Sequence, residues 1–321
     1  MRNLKPLLRW ESMLGVLLVA EFAFFAAVSA HFLDVWTLSD ATFNFTERAL
    51  VALPLALLII AGEIDISVAA IIALASVAMG LAAAHGLDTP MLVAVGVVTG
   101  SIAGMINGAL VTFGRVPSIV ATIGTMTLFR GAAYAILGDR VLKNYPTSFS
   151  VFGQGYAIGP LSIELCLFVV FAVAFGAFLH FTRWGRCIYA IGANPVAARW
   201  SGIDIDRYKF ALFTVTGLFS GLAAVMLTSR LGSTRPTIAQ GWELEIISMV
   251  VLGGVSVRGG QGSIIGVVLA AIILGFVNFG LGLLNVPGIA MSIVVGTLLI
   301  VAVAVPALAQ RWPLFRLNKA H

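Results

Sequence analysis

Charge is scarce in this chain. Only 10% of its 321 residues are Asp, Glu, Lys or Arg, against about 25% in a soluble globular domain. Apolar residues supply 60%, and mean hydropathy is +1.04. No fold of such a chain can cover its own apolar surface in water, so a bilayer must do it. Alternation of polar and apolar positions is also missing. A membrane β-barrel is written in roughly ten-residue alternating segments, whereas 50–61 and 267–275 are continuously apolar. The expected fold class is therefore all-α: a polytopic membrane protein forming one domain over 1–321, with about ten transmembrane helices and broken or re-entrant segments.

Catalytic and metal-binding patterns are absent too. There is no phosphate loop, no HExxH and no GxSxG, and His31, His85, His180 and His321 fall near predicted span ends or at the terminus. Cys166 and Cys187 lie at opposite ends of one predicted span, too far apart to bridge, and neither has metal-ligand spacing. No catalytic residue, metal or cofactor is expected. The net charge of +5 is spread over loops and ends rather than gathered on one face, so it implies a lipid environment and no nucleic-acid partner. Arg2, Lys5 and Arg9 ahead of 13–32 mimic a signal peptide, but Glu21 and the lack of a small-residue cleavage pattern favour an uncleaved first span.

On the scale of roughly 20 apolar residues per crossing, spans are predicted at 13–32, 46–62, 66–85, 91–113, 117–138, 161–181, 210–229, 244–257, 262–284 and 288–306. With the N-terminus inside, thirteen basic residues fall on the cytoplasmic side and five outside, while Arg130 lies within a span. That bias places both termini in the cytoplasm.

Three polar interruptions stand out. The island 183–209 holds five of the 19 basic residues. Gly62-Glu63-Ile64-Asp65-Ile66-Ser67 sets two acids between apolar runs, and 253–263 carries five glycines in eleven residues. Broken backbone at membrane depth persists only where protein or a water-filled cavity satisfies it, which points to transport or gating. Asp65 reads as a cap for the next helix, with Ser67 satisfying its first N–H groups; the alternative is ion coupling through Glu63 and Asp65. Glu21 and Glu164 read as paired or snorkelling acids. The loop 139–160 lies outside, either as a docking site or as a plain surface loop.

Small residues recur at helix-contact spacing at Gly96, Gly100, Gly104 and Gly108, and again at Gly217 and Gly221, as packing seams. Thr122 and Thr125 either bond their own preceding carbonyls or, with Asn107 and Asn278, line a path for a hydroxylated solute.

The run Gly185-Arg186 through Tyr189-Ala190-Ile191-Gly192-Ala193-Asn194-Pro195, with Ala197-Ala198-Arg199 and Ser201-Gly202-Ile203, resembles the cytoplasmic loop of permease subunits of bacterial sugar ABC importers of the ribose, xylose and arabinose type. Gly241-Trp242-Glu243-Leu244, Val251 to Ser256 and Gly259-Gly260-Gln261-Gly262-Ser263 extend the match, as do 62–67 and 116–126. Where that family usually reads Gly-Gly-Ile-Asp-Leu-Ser-Val-Gly-Ser, this chain has Glu63 for a glycine and Ala69-Ala70 for Gly-Ser. The variant looks closest to permeases of rhamnose-type and furanosyl-autoinducer-type systems.

The resemblance implies an inner-membrane permease that pairs with a second permease, identical or different. It also implies a cytosolic ABC ATPase that supplies ATP hydrolysis and a periplasmic sugar-binding protein that delivers a monosaccharide, rhamnose or a related sugar. It places the ATPase-coupling segment at Gly192, Asn194, Pro195, Ala197, Ala198, Arg199 and Gly202. The rival expectation is a secondary transporter of a small polar solute, driven by an ion gradient.

Overall fold

The computed structural model describes residues 5–291, 293, 294, 296, 297 and 300. Its helices run α1 Lys5–Val28, α2 Val35–Phe43, α3 Thr46–Ile60, α4 Val68–Ala84, α5 Thr89–Thr112 and α6 Ser118–Leu137. A 3-10 turn at Thr147–Ser150, the short α7 Val151–Gln154 and a hairpin of β1 Tyr156–Ile158 with β2 Leu161–Ser162 follow. The chain continues through α8 Ile163–Phe181, α9 Arg183–Ala193, α10 Pro195–Trp200, α11 Ile205–Leu231, α12 Trp242–Leu252 and α13 Ile264–Leu283. Apart from one small hairpin among the described residues, the all-α expectation holds.

Among the described residues, fewer than ten helices are long and apolar enough to cross a membrane. Six of the described ones qualify, or seven if α2 and α3, bent by 54° at their junction, count as one span. The predicted spans at 66–85 and 244–257 shrink to α4 and to the 11-residue α12, both packed inside the bundle. Hydropathy reports that a segment avoids water, but not whether lipid or protein surrounds it. The predicted span 288–306 falls largely outside the described residues.

Helix α3 occupies the centre. It is apolar all round and buried along nearly its whole length, as a helix with neighbours on every side must be. Helices α8, α9, α11, α12 and α13 pack on it. Two ion pairs set its register against α11. Arg230, at the end of α11, grips Glu47 at the start of α3 through two bonds of 2.8 and 3.0 Å. At the other end, Lys209 pairs with Glu63 just beyond α3. The two helices are therefore antiparallel and clamped by charge at both ends.

The two glycine rows meet each other. A Cβ on Gly100 would collide with the Gly217 carbonyl and with Gly221, and one on Gly104 would strike the carbonyl of Phe213. Backbones of α5 and α11 thus touch without intervening side chains, the approach that small residues permit in a membrane. Helix α1 docks on α13 through rings: Phe22 lies edge-on to Phe276 at 4.9 Å and to Phe32 at 5.3 Å. Outward, Val98, Ile102 and Phe113 of the α5 side and Val170, Val173 and Phe181 of α8 are exposed, an apolar surface suited to hydrocarbon.

The acids Glu21 and Glu164 correct the sequence reading. Both are buried, and among the described residues neither carboxyl has a hydrogen-bond partner. They neither pair nor snorkel, because each faces the packed interior rather than a span end open to water. Cys166 and Cys187 are free thiols.

Substituting Gly217→Val should separate α5 from α11 and cost about 3 kcal/mol, the upper range for overpacking. Gly124→Ala, where a Cβ meets nothing within 4 Å, should be silent. Thermal unfolding of the detergent-solubilised protein, followed by size exclusion, separates the two outcomes.

Candidate functional site

The polar island folds as two short helices set by local chemistry. Thr182 caps α9 by accepting the Gly185 N–H at 3.2 Å, and a side chain on Gly185 would overlap the Leu179 carbonyl. Asn194 ends α9 and starts α10, its Oδ1 accepting the Ala197 N–H at 3.0 Å. Pro195 takes the first helical position, where its missing N–H costs nothing. At the far end Gly202 adopts φ +82°, its N–H bonding the Arg199 carbonyl at 3.0 Å while Ile203 N–H reaches Ala198 at 3.2 Å. That is a Schellman ending, which requires a residue without a Cβ penalty. Ala198 turns inward, while Val196 and Trp200 are 65% and 88% exposed.

Beneath this segment the three interruptions read from the sequence converge. A Cβ on Gly192 would overlap the carbonyl of Ile60 and crowd the nitrogen of Gly260. That same carbonyl accepts the Gly260 N–H at 2.8 Å. Gly259 and Gly260, at φ +80° and +73°, lie against Gly192 and Ala193, and Tyr189 donates to the Gly262 carbonyl at 2.6 Å. The polar island, the end of α3 and the glycine-rich loop are thus joined backbone to backbone. Helix α1 reaches the same loop: Trp10 donates to the Leu252 carbonyl at 3.0 Å, and Ser263 bonds Glu11.

The acidic break is braced from the other side. Asp65 is fully buried and its Oδ1 accepts the Ser67 N–H at 2.8 Å and hydroxyl at 2.7 Å. Asn107 donates to the Ser67 hydroxyl at 2.7 Å and to Asp65 Oδ2 at 3.3 Å. Asp65 therefore shapes the approach to α4, while Ser67 bridges Asp65 and Asn107 and makes no side-chain cap of its own. Ile64 N–H donates to the Ser118 hydroxyl at 3.3 Å, and the Thr122 hydroxyl reaches the Ile64 carbonyl at 3.4 Å.

These bonds change the standing of the four solute-path candidates. Asn107 and Thr122 are fully buried: Asn107 holds the break in place, and the Thr122 hydroxyl bonds its own preceding carbonyl, that of Ser118, at 2.8 Å, the first of the two sequence readings. Thr125 is buried and bonds back to the Thr122 carbonyl at 3.3 Å. Asn278 sits on α13, which packs on α1, α3, α8 and α12, whereas α5 and α6 pack on α4 and on each other. The four do not come together.

At the opposite end of α11 the structure assembles groups that the sequence did not connect. Arg48 lies 4.8 Å from the Trp242 ring centroid and pairs with Glu245. Arg130, noted only as a base within a span, donates to the Pro236 and Ile238 carbonyls at 2.8 Å each and to the Ala69 carbonyl at 3.2 Å. The Tyr145 hydroxyl contacts that of Thr234, and burial pushes its pKa up to about 12, so it stays protonated at neutral pH. An intramembrane arginine with no acid near it in sequence was the available signal.

A bundle of membrane helices whose backbone breaks grip a capped helical segment at one end defines a membrane transporter subunit. The family described as "Branched-chain amino acid transport system / permease component" matches residues 38–303, and the chain belongs to it. The autoinducer 2 import system permease protein LsrD of Escherichia coli strain K12 is 36% identical over 300 residues, covering 92% of this chain and 91% of its own length. Its counterpart in Shigella flexneri is also 36% identical, and that of Escherichia coli O157:H7 is 35% identical, over the same shares. No solved structure matches. These relationships bear out the resemblance to sugar ABC importer permeases carried by the motifs.

Replacing Asn194 with Ala should remove the cap of α10 and cost about 1 kcal/mol locally, raising amide exchange over 196–200 roughly fivefold. Asn194→Asp should keep the cap and leave exchange near wild type.

Proposed function

We propose that this chain is the membrane subunit of an ABC importer for autoinducer 2 or a similar monosaccharide-sized hydroxylated solute. Residues 183–209 would transmit the stroke of a separate cytosolic ATPase. Relatives carrying the autoinducer 2 name across nine-tenths of the chain favour that solute over rhamnose, and over the amino acids in the family description. Delivery by a periplasmic binding protein and pairing with a second permease, identical or not, belong to the same reading.

The observation that carries it is the contrast within α10. Its buried side is joined through α9 and Gly192 to the core of the bundle, while Val196 and Trp200 stand exposed on a helix capped at both ends. A rigid helix with an exposed tryptophan is suited to a pocket on another protein. Gly192, Asn194, Pro195, Ala197, Ala198, Arg199 and Gly202 serve as the coupling residues, chiefly by fixing this shape. Arg199 also pairs with Asp206 at 3.2 Å, an exposed bridge that contributes little stability.

Placement agrees with a two-faced membrane protein. The island enters α11 at its start, whereas 139–160 packs against its end through Ser229, Arg230 and Thr234. A 27-residue helix separates the two by about 40 Å. The excess of basic residues favours the cytoplasmic side of the inner membrane for the island, and the same reading puts both termini there. Ion coupling finds less support, since Glu63 is paired with Lys209 and Asp65 is saturated by Ser67 and Asn107.

With the ATPase and binding protein reconstituted in liposomes, Trp200→Ala and Gly202→Val should each lower solute-stimulated ATP hydrolysis and uptake at least tenfold. Wild-type hydrolysis and uptake in both variants would remove the coupling assignment.

A further inference from the structure

A second site lies at the other end of α11. The chain leaves that helix at Gly232 and crosses 233–241 without regular structure before α12 begins. Such a loop would ordinarily be soft, but this one is held from several sides. Thr234 exchanges backbone hydrogen bonds with Leu142 at 3.1 and 2.8 Å, and its hydroxyl sits 2.7 Å from that of Ser76. Arg130 spans the Pro236 and Ile238 carbonyls. Ala239 is kept at φ +57°, a conformation that persists in a non-glycine residue only where its surroundings impose it.

The held loop, the end of α11 and the start of α12 line an open cavity of about 360 Å³, its wall formed by Arg230, Arg235, Thr237 and Trp242 together with apolar side chains such as Leu227 and Ile238. Two of the arginines at this end are neutralised: Arg230 by Glu47 and Arg48 by Glu245. The Arg235 side chain is exposed and its guanidinium has no ion-pair or hydrogen-bond partner among the described residues, and the exposed Thr237 hydroxyl is likewise uncommitted there. Arg48 stacked over Trp242 steadies the indole at the rim.

We infer that this cavity is a transit subsite for one uncharged polyhydroxylated molecule of monosaccharide size. A guanidinium fork donates to neighbouring hydroxyls, a threonine hydroxyl both donates and accepts, and an indole beside them covers an apolar ring face. With the other arginines paired, the ligand meets one free positive charge on the lining and not a cluster that would demand an anion. Two uncommitted polar groups on an open rim hold a solute loosely, as passage requires. The inference rests on the importer reading and gives that reading a place where the solute first meets the permease.

The test uses the complete importer in liposomes, with autoinducer 2 and L-rhamnose as probes in separate arms. Thr237→Val and Arg235→Gln should each lower uptake of the transported probe at least fivefold, while ATP hydrolysis stimulated by the loaded binding protein stays within twofold of wild type. In a Cys166→Ser, Cys187→Ser background, maleimide labelling of Thr237→Cys should slow at least threefold in saturating probe. Unchanged uptake together with unprotected labelling overturns the subsite. So does a parallel fall of uptake and stimulated hydrolysis, which would make the rim a docking surface for the binding protein. If the wild-type complex shows no ATP-dependent uptake of either probe, it is the importer reading for these solutes that fails.

Discussion

The Ile60 carbonyl, set against Gly192 and accepting the Gly260 N–H at 2.8 Å, is the contact on which the rest of this structure turns. A carbonyl freed at the end of a buried helix has no water to turn to, and leaving it unpaired is costly. The chain satisfies it with a backbone donor from a loop about 200 residues away. Glycine is needed on both sides, since a Cβ at 192 would occupy the position of the oxygen and 259 and 260 require positive φ. Side chains change rotamer readily, whereas backbone locked to backbone moves as a unit. The island therefore cannot shift without moving the end of α3 and the glycine-rich loop with it.

What happens at that junction reaches the far side through α11. Its first turns are tied to the acidic break by Lys209 and Glu63, its middle lies on the glycine seam of α5, and its end is held by Glu47. The partly buried Arg230–Glu47 pair makes poor evidence for stability in itself, because desolvation offsets much of the attraction. Its bidentate geometry fixes register, since a slip of either helix would strand a fully buried carboxylate. A helix pinned at both ends and smooth along its middle suits a rigid element that tilts without bending.

How much of this was legible in the sequence depends on the range of the interactions. Asn194, Pro195 and Gly202 act within a turn of themselves, so the bounds of α10 could be read from the letters. The breaks at 62–67 and 253–263 were visible as glycine and charge inside apolar runs. Their meeting was not, because nothing local says which distant carbonyl a loop amide will find. The count of long apolar helices among the described residues falls below ten because α4 and α12, at 17 and 11 residues, are short. Asn107 was read as facing a solute and Thr122 as either doing so or bonding its own preceding carbonyl, since a polar group inside a span must bond something and sequence does not say what. The structure gives Asn107 the side chains of the acidic break and Thr122 the carbonyl of Ser118. Glu21 and Glu164 went astray in the opposite direction, being buried where an exposed or paired acid was expected.

The satisfaction of these inner polar groups bears on where a solute could pass. The Asn107 amide nitrogen is committed within the break, although its buried Oδ1 has no partner among the described residues; Thr122 and Thr125 bond preceding carbonyls of α6, and Ser76, Thr228 and Thr234 are committed to one another by hydroxyl contacts of 2.7 and 2.8 Å. A hydroxylated molecule entering that interior would have to break such bonds and leave buried partners unsatisfied, at about 1–3 kcal/mol each. Two side chains at the outer end of α11 carry no such commitment, because the Arg235 guanidinium and the Thr237 hydroxyl bond nothing among the described residues. For the proposed importer, a route that avoids these committed groups costs less than one that passes among them. A rigid bundle that only tilts would then suffice to open and close the route, as the backbone junction at Gly192 and the seam at Gly100 and Gly217 favour.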